Sequence, residues 1–410
     1  MKRLAILGST GSIGANTLEV VRESGGEFEV WSLAAGQNVD VLLGQVLEFR
    51  PSLVSLATPE AAELLERRLA PHHSGAHPQI LHGPAGNLAA ATADEVDIVV
   101  SAAVGVAGLA ATYEAVRRGK RVALANKEVM VAAGDLVMAA AERSGAELLP
   151  VDSEHNGMHQ CLRGAERRHE VRRLILTASG GPFRSTPAAE LARVTPAQAL
   201  RHPTWKMGRR ITINSATLMN KGFEVIEACH LFGFRPDQVD VVIHPQSTVH
   251  AMIEFQDGSI LAQLGVTDMK MPIQYALYYP QRQACPENRK LDWKTVRQWD
   301  FEPPDRDKFP ALGLAYRALE MGGSAGCTLN AADEVAVAAF LAGRIGFSAM
   351  AGVVAGALSS VPVRRSASIA EVLEVDRESR ACAEQILGRY EGQEDFVAGR
   401  ATVVAESCNG

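Results

Sequence analysis

The chain has 410 residues, of which 21% are Asp, Glu, Lys or Arg, and its formal net charge at pH 7 is −6. A chain of this length is longer than one hydrophobic core usually serves, so we expect two or three packed units. The acidic balance supplies no basic surface for nucleic acid or for an acidic membrane, and we therefore expect neither DNA nor RNA as a partner.

The apolar runs and the cysteines favour a cytoplasmic protein. No stretch of about 18 apolar residues is uninterrupted, so we expect no membrane span. The apolar run after Met1 ends at Gly8, which is too early for a secretion signal. The six cysteines are scattered without a C-x-x-C pair, which is typical of reduced thiols rather than of a disulfide framework or a zinc cluster.

Residues 1–150 alternate short apolar runs with helical patterns, which predicts an α/β fold. The predicted strands are Leu4–Leu7, Val30–Leu33, Val54–Leu56, Ile98–Val100, Val122–Ala125 and Leu148–Val151. We expect them to form a Rossmann-like, doubly wound parallel sheet with helices on both faces.

After residue 150 the pattern changes. Residues 151–284 predict a central α+β catalytic domain, with strands near 174–177 and 239–243 and a hairpin from Val249 to Leu264 that turns at Asp257-Gly258. Residues 285–306 are rich in proline and charge and predict a linker. Residues 307–395 predict a C-terminal helical bundle, with helices at 311–322, 329–342 and 347–358.

A glycine-rich segment, Gly8-Ser9-Thr10-Gly11-Ser12-Ile13-Gly14, follows the first predicted strand and opens a helical pattern. Glycines permit a tight turn and let the backbone approach a pyrophosphate, whose charge is favoured by the N-terminus of the helix. We therefore predict a dinucleotide site that includes Thr10, Gly11, Ser12 and Ile13. A tight turn with a purely structural role is the alternative.

The end of the second strand bears on the choice between NADH and NADPH. Sites for NAD usually place Asp or Glu there to accept the ribose 2′-hydroxyl. This chain has Ala34-Ala35-Gly36-Gln37-Asn38 instead. No carboxylate would repel a 2′-phosphate, so NADPH is favoured, with Gly36, Gln37 and Asn38 beside it. Gln37 adds polarity but no positive charge, so the pattern permits the phosphate without attracting it.

Asp152-Ser153-Glu154-His155-Asn156 follows the last strand predicted in the first 150 residues, at the edge where open α/β sheets bind ligands. In an extended segment, Asp152 and Glu154 would share one face. Their oxygens would suit Mg²⁺ or Mn²⁺. A solvated turn is the alternative.

A second polar cluster lies in the segment from Asn214 to Glu224. If the chain is helical from about Ala216, then Asn220, Lys221 and Glu224 project toward one side. Lys221 and Asn220 would suit a phosphate, and Glu224 would serve as a third metal ligand. An exposed Lys-Glu salt bridge is the alternative.

Two loops complete the candidate site. Ser179-Gly180-Gly181 follows a predicted strand and would form a nest of backbone amides for an anion. The segment from His202 to Gly208 carries Trp205 and Met207, an aromatic and a flexible apolar residue, as a lid would.

These segments together resemble the 1-deoxy-D-xylulose 5-phosphate reductoisomerase family. The resemblance rests on GSTGSIG (8–14), LANKE (124–128), LLPVDSEHN (148–156), SGGPF (179–183), HPTWKMG (202–208), NSATLMNKGFEVIEA (214–228), IHPQS (243–247) and LNAADE (329–334). The motifs span most of the chain, and their order is more specific than any one of them.

The resemblance implies an enzyme that rearranges 1-deoxy-D-xylulose 5-phosphate and reduces the product with NADPH to 2-C-methyl-D-erythritol 4-phosphate. A divalent cation, Mg²⁺, Mn²⁺ or Co²⁺, would be held by Asp152, Glu154 and Glu224 and would chelate the ketone and a neighbouring hydroxyl of the substrate. The rearrangement would proceed by retro-aldol and aldol steps or by an alkyl shift. A homodimer is implied by the resemblance alone.

The resemblance also assigns roles to further residues. The substrate phosphate would be bound by Ser179, Ser215, Asn220 and Lys221. Trp205 would cover the substrate and Met207 the nicotinamide. The remaining catalytic, substrate-binding and cofactor-binding positions are Lys127, Ser153, His155, His202, His244, Asn126, Glu128 and Gly208. Family members commonly have a basic residue where this chain has Gln37.

Two other functions compete with this interpretation. A semialdehyde or sugar dehydrogenase would need a reactive cysteine or a Tyr-x-x-x-Lys pair, and no tyrosine here has a lysine four residues later. A non-catalytic NADP(H) sensor would have no use for a set of carboxylates beside a phosphate pocket. Metal-dependent turnover would separate the sensor from the enzyme.

Overall fold

The computed structural model describes residues 1–72, 77–205, 207–286, 289–296 and 298–391. Its contacts divide the chain into two compact units. The N-terminal unit comprises residues 1–130, 134–164 and 268–293, and the C-terminal unit comprises residues 131–133, 165–267 and the described part of 294–410. This division does not follow chain order, and the sequence-based boundaries at residues 150, 284 and 306 stay a prediction.

The N-terminal unit contains a seven-stranded sheet in which all neighbouring strands are parallel. Its strands are β1 (Lys2–Leu7), β2 (Phe28–Ala34), β3 (Leu53–Leu56), β4 (Gln79–His82), β5 (Ile98–Ser101), β6 (Arg121–Leu124) and β7 (Leu148–Pro150). The strand order is β4-β3-β2-β1-β5-β6-β7, so the direction of winding reverses between β1 and β5. The predicted doubly wound sheet is confirmed.

The helices of this unit alternate with the strands. They are α1 (Ser12–Glu23), α2 (Val39–Phe49), α3 (Pro59–Leu69), α4 (Gly83–Thr92), α5 (Leu109–Arg117), α6 (Lys127–Ser144) and α7 (Ser153–Leu162). A further helix, α11 (Lys270–Tyr278), comes from later in the chain and buries Ile273, Ala276 and Leu277 in the same core as Leu4 and Ile6.

The C-terminal unit contains a four-stranded mixed sheet. Its strands are β8 (Val171–Ala178), β9 (Val239–Ile243), β10 (Val249–Phe255) and β11 (Ile260–Leu264), in the order β11-β10-β8-β9. β10 and β11 form the predicted antiparallel hairpin, in which Gly258 has a φ of +86° and the Ser259 N–H donates to Asp257 Oδ1. A glycine tolerates this left-handed conformation without strain.

The remaining helices belong to the C-terminal unit. They are α8 (Pro196–Ala199), α9 (Arg209–Ala216), α10 (Met219–Phe232), α12 (Ala311–Met321), α13 (Ala325–Leu341), α14 (Ala349–Ser360) and α15 (Ile369–Leu387). The predicted helical C-terminal region is confirmed, with α13 packed between α14 and α15 and mostly buried. Residues 392–395 of the predicted C-terminal domain lie outside the described residues.

The next two observations concern apolar helices and cysteines among the described residues. No helix among them is both long and apolar enough to cross a lipid bilayer. Their five cysteines are all free thiols, and burial raises the pKa of Cys229 and Cys327 to about 12, so these two thiols are inert at neutral pH.

Candidate active site

The glycine-rich loop lies between β1 and α1, beside the point where the sheet reverses direction. Gly8 has a φ of +87°, and a Cβ atom on it would lie 2.4 Å from the Ala102 carbonyl oxygen. A Cβ on Gly14 would lie 2.5 Å from the Gly8 oxygen. Only glycine fits at both positions, because Gly8 lies against the backbone that follows β5 and Gly14, in the first turn of α1, lies against the loop itself. Thr10, Gly11, Ser12 and Ile13 lie where this loop enters the helix and are partly or fully exposed.

The segment after β2 is exposed at Gly36, Gln37 and Asn38. Asn38 is the N-cap of α2, and its side chain accepts a hydrogen bond of 3.2 Å from the Val41 N–H. Asp40 on the same helix forms an ion pair with Arg68. The nearest acid along the chain therefore already has a cationic partner.

Asn126 links the segments that follow β5 and β6 in the N-terminal unit through hydrogen bonds. It caps α6, and its side-chain amide donates to the carbonyl oxygens of Ala103 at 2.5 Å and Gly105 at 2.9 Å. The adjacent Lys127 is buried, and its Nζ lies 2.7 Å from Asp152 Oδ2. The start of α6 therefore places a buried cation against the first predicted metal ligand.

The segment that carries Asp152 and Glu154 is not extended, contrary to our expectation. Asp152 is the N-cap residue of α7, and Glu154 lies in the first turn of that helix. Acidic residues are stabilised there by the exposed N–H groups of the helix. One oxygen of each carboxylate nevertheless lies within 4.8 Å of the other, and a ring nitrogen of the buried His155 lies within 4.8 Å of Asp152. Ser153 donates a hydrogen bond to Glu154.

In the C-terminal unit, His202 connects two of the predicted phosphate ligands. Its Nε2 atom lies 3.0 Å from the hydroxyl oxygens of both Ser179 and Ser215. Its Nδ1 atom accepts from the backbone N–H groups of Thr204 and Trp205, at 3.2 and 3.0 Å. The proton of the neutral ring is therefore on Nε2. Burial lowers the pKa of His202, which favours this neutral form.

The backbone after Ser179 supports the predicted anion nest. Gly180 and Gly181 have φ values of +83° and +68°, which turns the chain tightly at the end of β8. A Cβ on Gly181 would lie 2.7 Å from the Ser215 carbonyl oxygen, so glycine is required for this close approach of the loop to α9.

The predicted helix at Asn220 is α10, which begins at Met219 after Leu218 adopts a left-handed conformation. The Asn220 amide donates to Glu224 Oε1 at 2.6 Å, and Lys221 forms an ion pair with Glu224. The side chains of this pair are only 4% and 0% exposed, so the alternative of an exposed surface salt bridge is wrong. Glu227, one turn further along α10, is also buried. It was not among the site residues predicted from the sequence, although its i,i+3 spacing from Glu224 places the two acids on the same side of the helix.

His244 is buried and held at both ring nitrogens. Nδ1 donates to the Asp300 carbonyl oxygen at 2.9 Å, Nε2 accepts from the Thr248 N–H at 3.1 Å, and the ring stacks on Phe301. These contacts favour a role in holding the segment 244–248. The catalytic assignment of His244 stays a prediction.

The predicted lid has no regular secondary structure in its described residues, and Lys206 lies outside them. Trp205 lies against His250, with 6.4 Å between the ring centroids. Gly208 is the N-cap of α9. The lid is therefore attached directly to the helix that carries Ser215.

Family models match three parts of the chain. Residues 4–134 match 1-deoxy-D-xylulose 5-phosphate reductoisomerase, residues 148–232 match the 1-deoxy-D-xylulose 5-phosphate reductoisomerase C-terminal domain, and residues 264–382 match the DXP reductoisomerase C-terminal domain. The 1-deoxy-D-xylulose 5-phosphate reductoisomerase of Solibacter usitatus is 62% identical over 388 residues, which cover 94% of this chain and 97% of the relative.

Solved structures agree with this match. A crystal structure of DOX-P reductoisomerase in complex with NADPH, fosmidomycin and magnesium has a TM-score of 0.88 at 39% identity, covering 95% of this chain and 98% of that one. The enzyme from Zymomonas mobilis, in complex with NADPH, has a TM-score of 0.86 at 41% identity, covering 94% of this chain and 99% of its own. On the strength of these matches, the chain belongs to the 1-deoxy-D-xylulose 5-phosphate reductoisomerase family.

Proposed function

We propose that this chain converts 1-deoxy-D-xylulose 5-phosphate to 2-C-methyl-D-erythritol 4-phosphate, with NADPH as the reductant and a divalent cation as the Lewis acid. The observation that carries the proposal is the buried ion pair of Lys221 and Glu224, with Asn220 bound to the same carboxylate. Burying two charges costs free energy, and a salt bridge with only a structural role at the surface would not require this burial. Membership of the family supplies the reaction.

The proposed metal ligands are Asp152, Glu154 and Glu224. All are carboxylates, and this set of oxygen donors fits Mg²⁺ or Mn²⁺, with Co²⁺ as a further candidate. Magnesium in a related structure supports the first choice. When bound, the cation would polarise the ketone and hydroxyl oxygens of the substrate. Lys127, paired with Asp152, would hold that carboxylate in place and offer a proton near the reacting oxygens.

The proposed phosphate ligands are Ser179, Ser215, Asn220 and Lys221. The Nε2–H of His202 points between the two serine hydroxyls, so the group is arranged as hydrogen-bond donors for an anion. Trp205 would close over the substrate. Fixing the substrate at its phosphate and at its ketone end lowers the entropic cost of reaching the reactive geometry.

The proposed cofactor site begins at the glycine-rich loop, with Thr10, Gly11, Ser12 and Ile13 at the pyrophosphate and Gly36, Gln37 and Asn38 at the ribose. Two related structures contain NADPH. Bound NADPH would supply the hydride that reduces the rearranged aldehyde. The other proposed cofactor contacts are Asn126, Glu128, Met207 and Gly208.

The remaining assignments concern proton transfer and assembly. Ser153, His155 and His202 are proposed to line the substrate site, and the rearrangement proceeds by retro-aldol and aldol steps or by an alkyl shift. We propose a cytoplasmic homodimer. The support for the dimer is β11, an edge strand that exposes Ile260 and Leu261. An open edge with apolar side chains is a common association surface.

A two-ended inhibitor tests this function. A short phosphonate with a hydroxamate at its other end should inhibit strongly and only with a divalent cation present, because the hydroxamate chelates the cation while the phosphonate fills the phosphate site. Charged contacts of this kind are worth about 2 to 5 kcal/mol, so Lys221→Ala should weaken inhibition about tenfold or more. Unchanged inhibition in that variant, or equal potency after the metal is stripped, would show that the proposed pocket is wrong.

A further inference from the structure

The C-terminal unit contains a partly buried charged cluster, centred on the buried Asp333, outside the residues assigned to the reaction. We define this α9 anchor as Arg210 and Asn214 on α9, together with Asn330, Asp333 and Glu334 on α13. Arg210 Nη2 donates to Asn330 Oδ1 at 2.9 Å and lies 3.5 Å from Asp333 Oδ2, and Arg210 Nη1 lies 3.0 Å from Glu334 Oε1. The Asn214 amide donates to Asp333 Oδ2 at 2.9 Å.

Asp333 thus contacts two successive turns of one face of α9. Arg210 and Asn214 are four residues apart, so their side chains lie on the same side of the helix. Ser215 is the next residue, about 100° around the helix axis, and its hydroxyl lies 3.0 Å from His202 Nε2. The rotation of α9 about its axis therefore determines where the Ser215 hydroxyl points.

The geometry points to Asp333 as a positioning residue for the phosphate site, which it serves by fixing the rotation and height of α9 through Arg210 and Asn214. This inference rests on the proposed function of Ser215 as a phosphate ligand and of His202 as its hydrogen-bond partner in the substrate site. It gives the C-terminal helices a part in substrate binding, although they carry none of the proposed ligands. Since one residue of helix rises about 1.5 Å, a slip of even part of a residue would break the Ser215 hydrogen bond.

The free-energy cost of burying the Asp333 carboxylate supports this positioning role. Asp333 is buried, and burial raises its pKa to about 6 even though Arg210 and the Asn214 amide lower it. The neighbouring Glu334 raises it as well and is itself paired with Arg380 on α15, which also binds Asp376. The unfolded carboxyl has the lower pKa, so the ionisation of Asp333 makes folding less favourable as the pH rises from 3.8 to about 6. A buried ion pair is weak evidence for stability, and the proposal attributes this one to the positioning of α9.

The test compares Asp333→Ala with Asp333→Asn in the full-length, metal- and NADPH-loaded enzyme. Asp333→Ala removes the acceptor for Asn214 and one of the two carboxylates that face Arg210. It should raise KM for the sugar phosphate about tenfold, the order of magnitude for losing a buried charge-assisted hydrogen bond, while KM for NADPH changes less than about twofold. Inhibition by inorganic phosphate should weaken in parallel. Asp333→Asn keeps the acceptor and should restore most of the affinity.

Glu254→Ala is the matched control. Glu254 on β10 is also buried and paired with arginines, but its partners Arg172 and Arg173 lie outside the α9 anchor. Glu254→Ala should lower thermal stability and leave KM for the sugar phosphate unchanged. A loss of substrate affinity equal to that of Asp333→Ala would reduce the α9 anchor to a general stabilising element and overturn the inference.

Failure of the inference can be told apart from failure of the proposed function. If wild-type enzyme turns over the sugar phosphate and Ser215→Ala raises KM, the phosphate site stands. Unchanged KM in a folded Asp333→Ala would then overturn the positioning role alone. If Asp333→Ala does not fold, Arg210→Lys decides instead: it retains the charge, loses the fork of donors to α13, and should also raise KM for the sugar phosphate selectively.

Discussion

At the scale of single residues, Glu224 is the acid whose replacement is most informative. It is fully buried, and its oxygens already bind Asn220 and Lys221. We expect Glu224→Gln to lower kcat by about 100-fold or more, because the lost charge weakens the proposed metal site. NADPH affinity, measured by fluorescence titration, should stay nearly unchanged.

Glu254→Gln provides a control for Glu224→Gln in the same unit. Glu254 is a buried carboxylate on β10 that pairs with Arg172 and Arg173, and it has no proposed role in the reaction. This substitution should leave the metal dependence of turnover intact. Activity like that of the wild type in Glu224→Gln would remove Glu224 from the proposed metal ligands.

Two substitutions of Gln37 should change the preference for NADPH over NADH in opposite directions. If its exposed side chain lies beside the 2′-phosphate, Gln37→Lys should increase the ratio of kcat/KM for NADPH over NADH by about tenfold, since a cation is added beside a phosphate. Gln37→Glu should lower the same ratio. Equal ratios in both variants, or a wild type that uses NADH as well as NADPH, would contradict the placement of the ribose at this loop.

At the scale of elements, the glycine-rich loop packs so closely against the start of α1 that a side chain is not accommodated there. A Cβ on Gly14 would lie 2.5 Å from Ser9 Cα and from the Gly8 oxygen. Gly14→Ala should therefore displace the loop from the start of α1 and weaken NADPH binding by about tenfold or more, as expected for overpacking of a close backbone contact. The measurement is the dissociation constant of NADPH.

The control for the loop is another helical glycine. Gly44 lies inside α2 and has open space around its Cα, so Gly44→Ala should leave NADPH binding unchanged and stabilise the protein by up to about 1 kcal/mol. If Gly14→Ala bound NADPH as tightly as Gly44→Ala, the close packing of the loop would have no part in cofactor binding.

Sequence periodicity predicts some elements and misses others for identifiable reasons. Five of the six predicted strands lie inside the parallel sheet and the sixth, β7, lies at its edge, but all six contain buried apolar residues, which is the pattern that predicts a strand. β4 is the strand of this sheet that was not predicted, because all four of its side chains are exposed or only partly buried. The extended segment predicted at Asp152 was wrong because the strand ends at Pro150 and α7 begins at Ser153, a cap that local spacing did not distinguish from a turn.

The candidate site could be predicted only in part for a related reason. Residue types identified the acids, the lysine and the serines, because their chemistry does not depend on the fold. The tautomer of His202 and the anchoring of Arg210 by Asp333 could not be predicted, since both depend on contacts between residues that are distant in sequence. The LNAADE motif at 329–334 is part of the family resemblance, but its sequence does not indicate that Asp333 accepts a hydrogen bond from Asn214.

At the scale of the whole molecule, the proposed function depends on three components. Membership of the 1-deoxy-D-xylulose 5-phosphate reductoisomerase family supplies the reaction, and a related structure contains both NADPH and magnesium. We therefore expect turnover only when the sugar phosphate, NADPH and a divalent cation are all present.

The most direct test follows NADPH absorbance on adding 1-deoxy-D-xylulose 5-phosphate to the purified, metal-stripped protein, first without and then with Mg²⁺ or Mn²⁺. We expect no oxidation without the cation, rapid oxidation once it is added, and 2-C-methyl-D-erythritol 4-phosphate as the product. NADPH oxidation at the same rate without any divalent cation, or no oxidation with all three components present, would show that the proposed function is wrong.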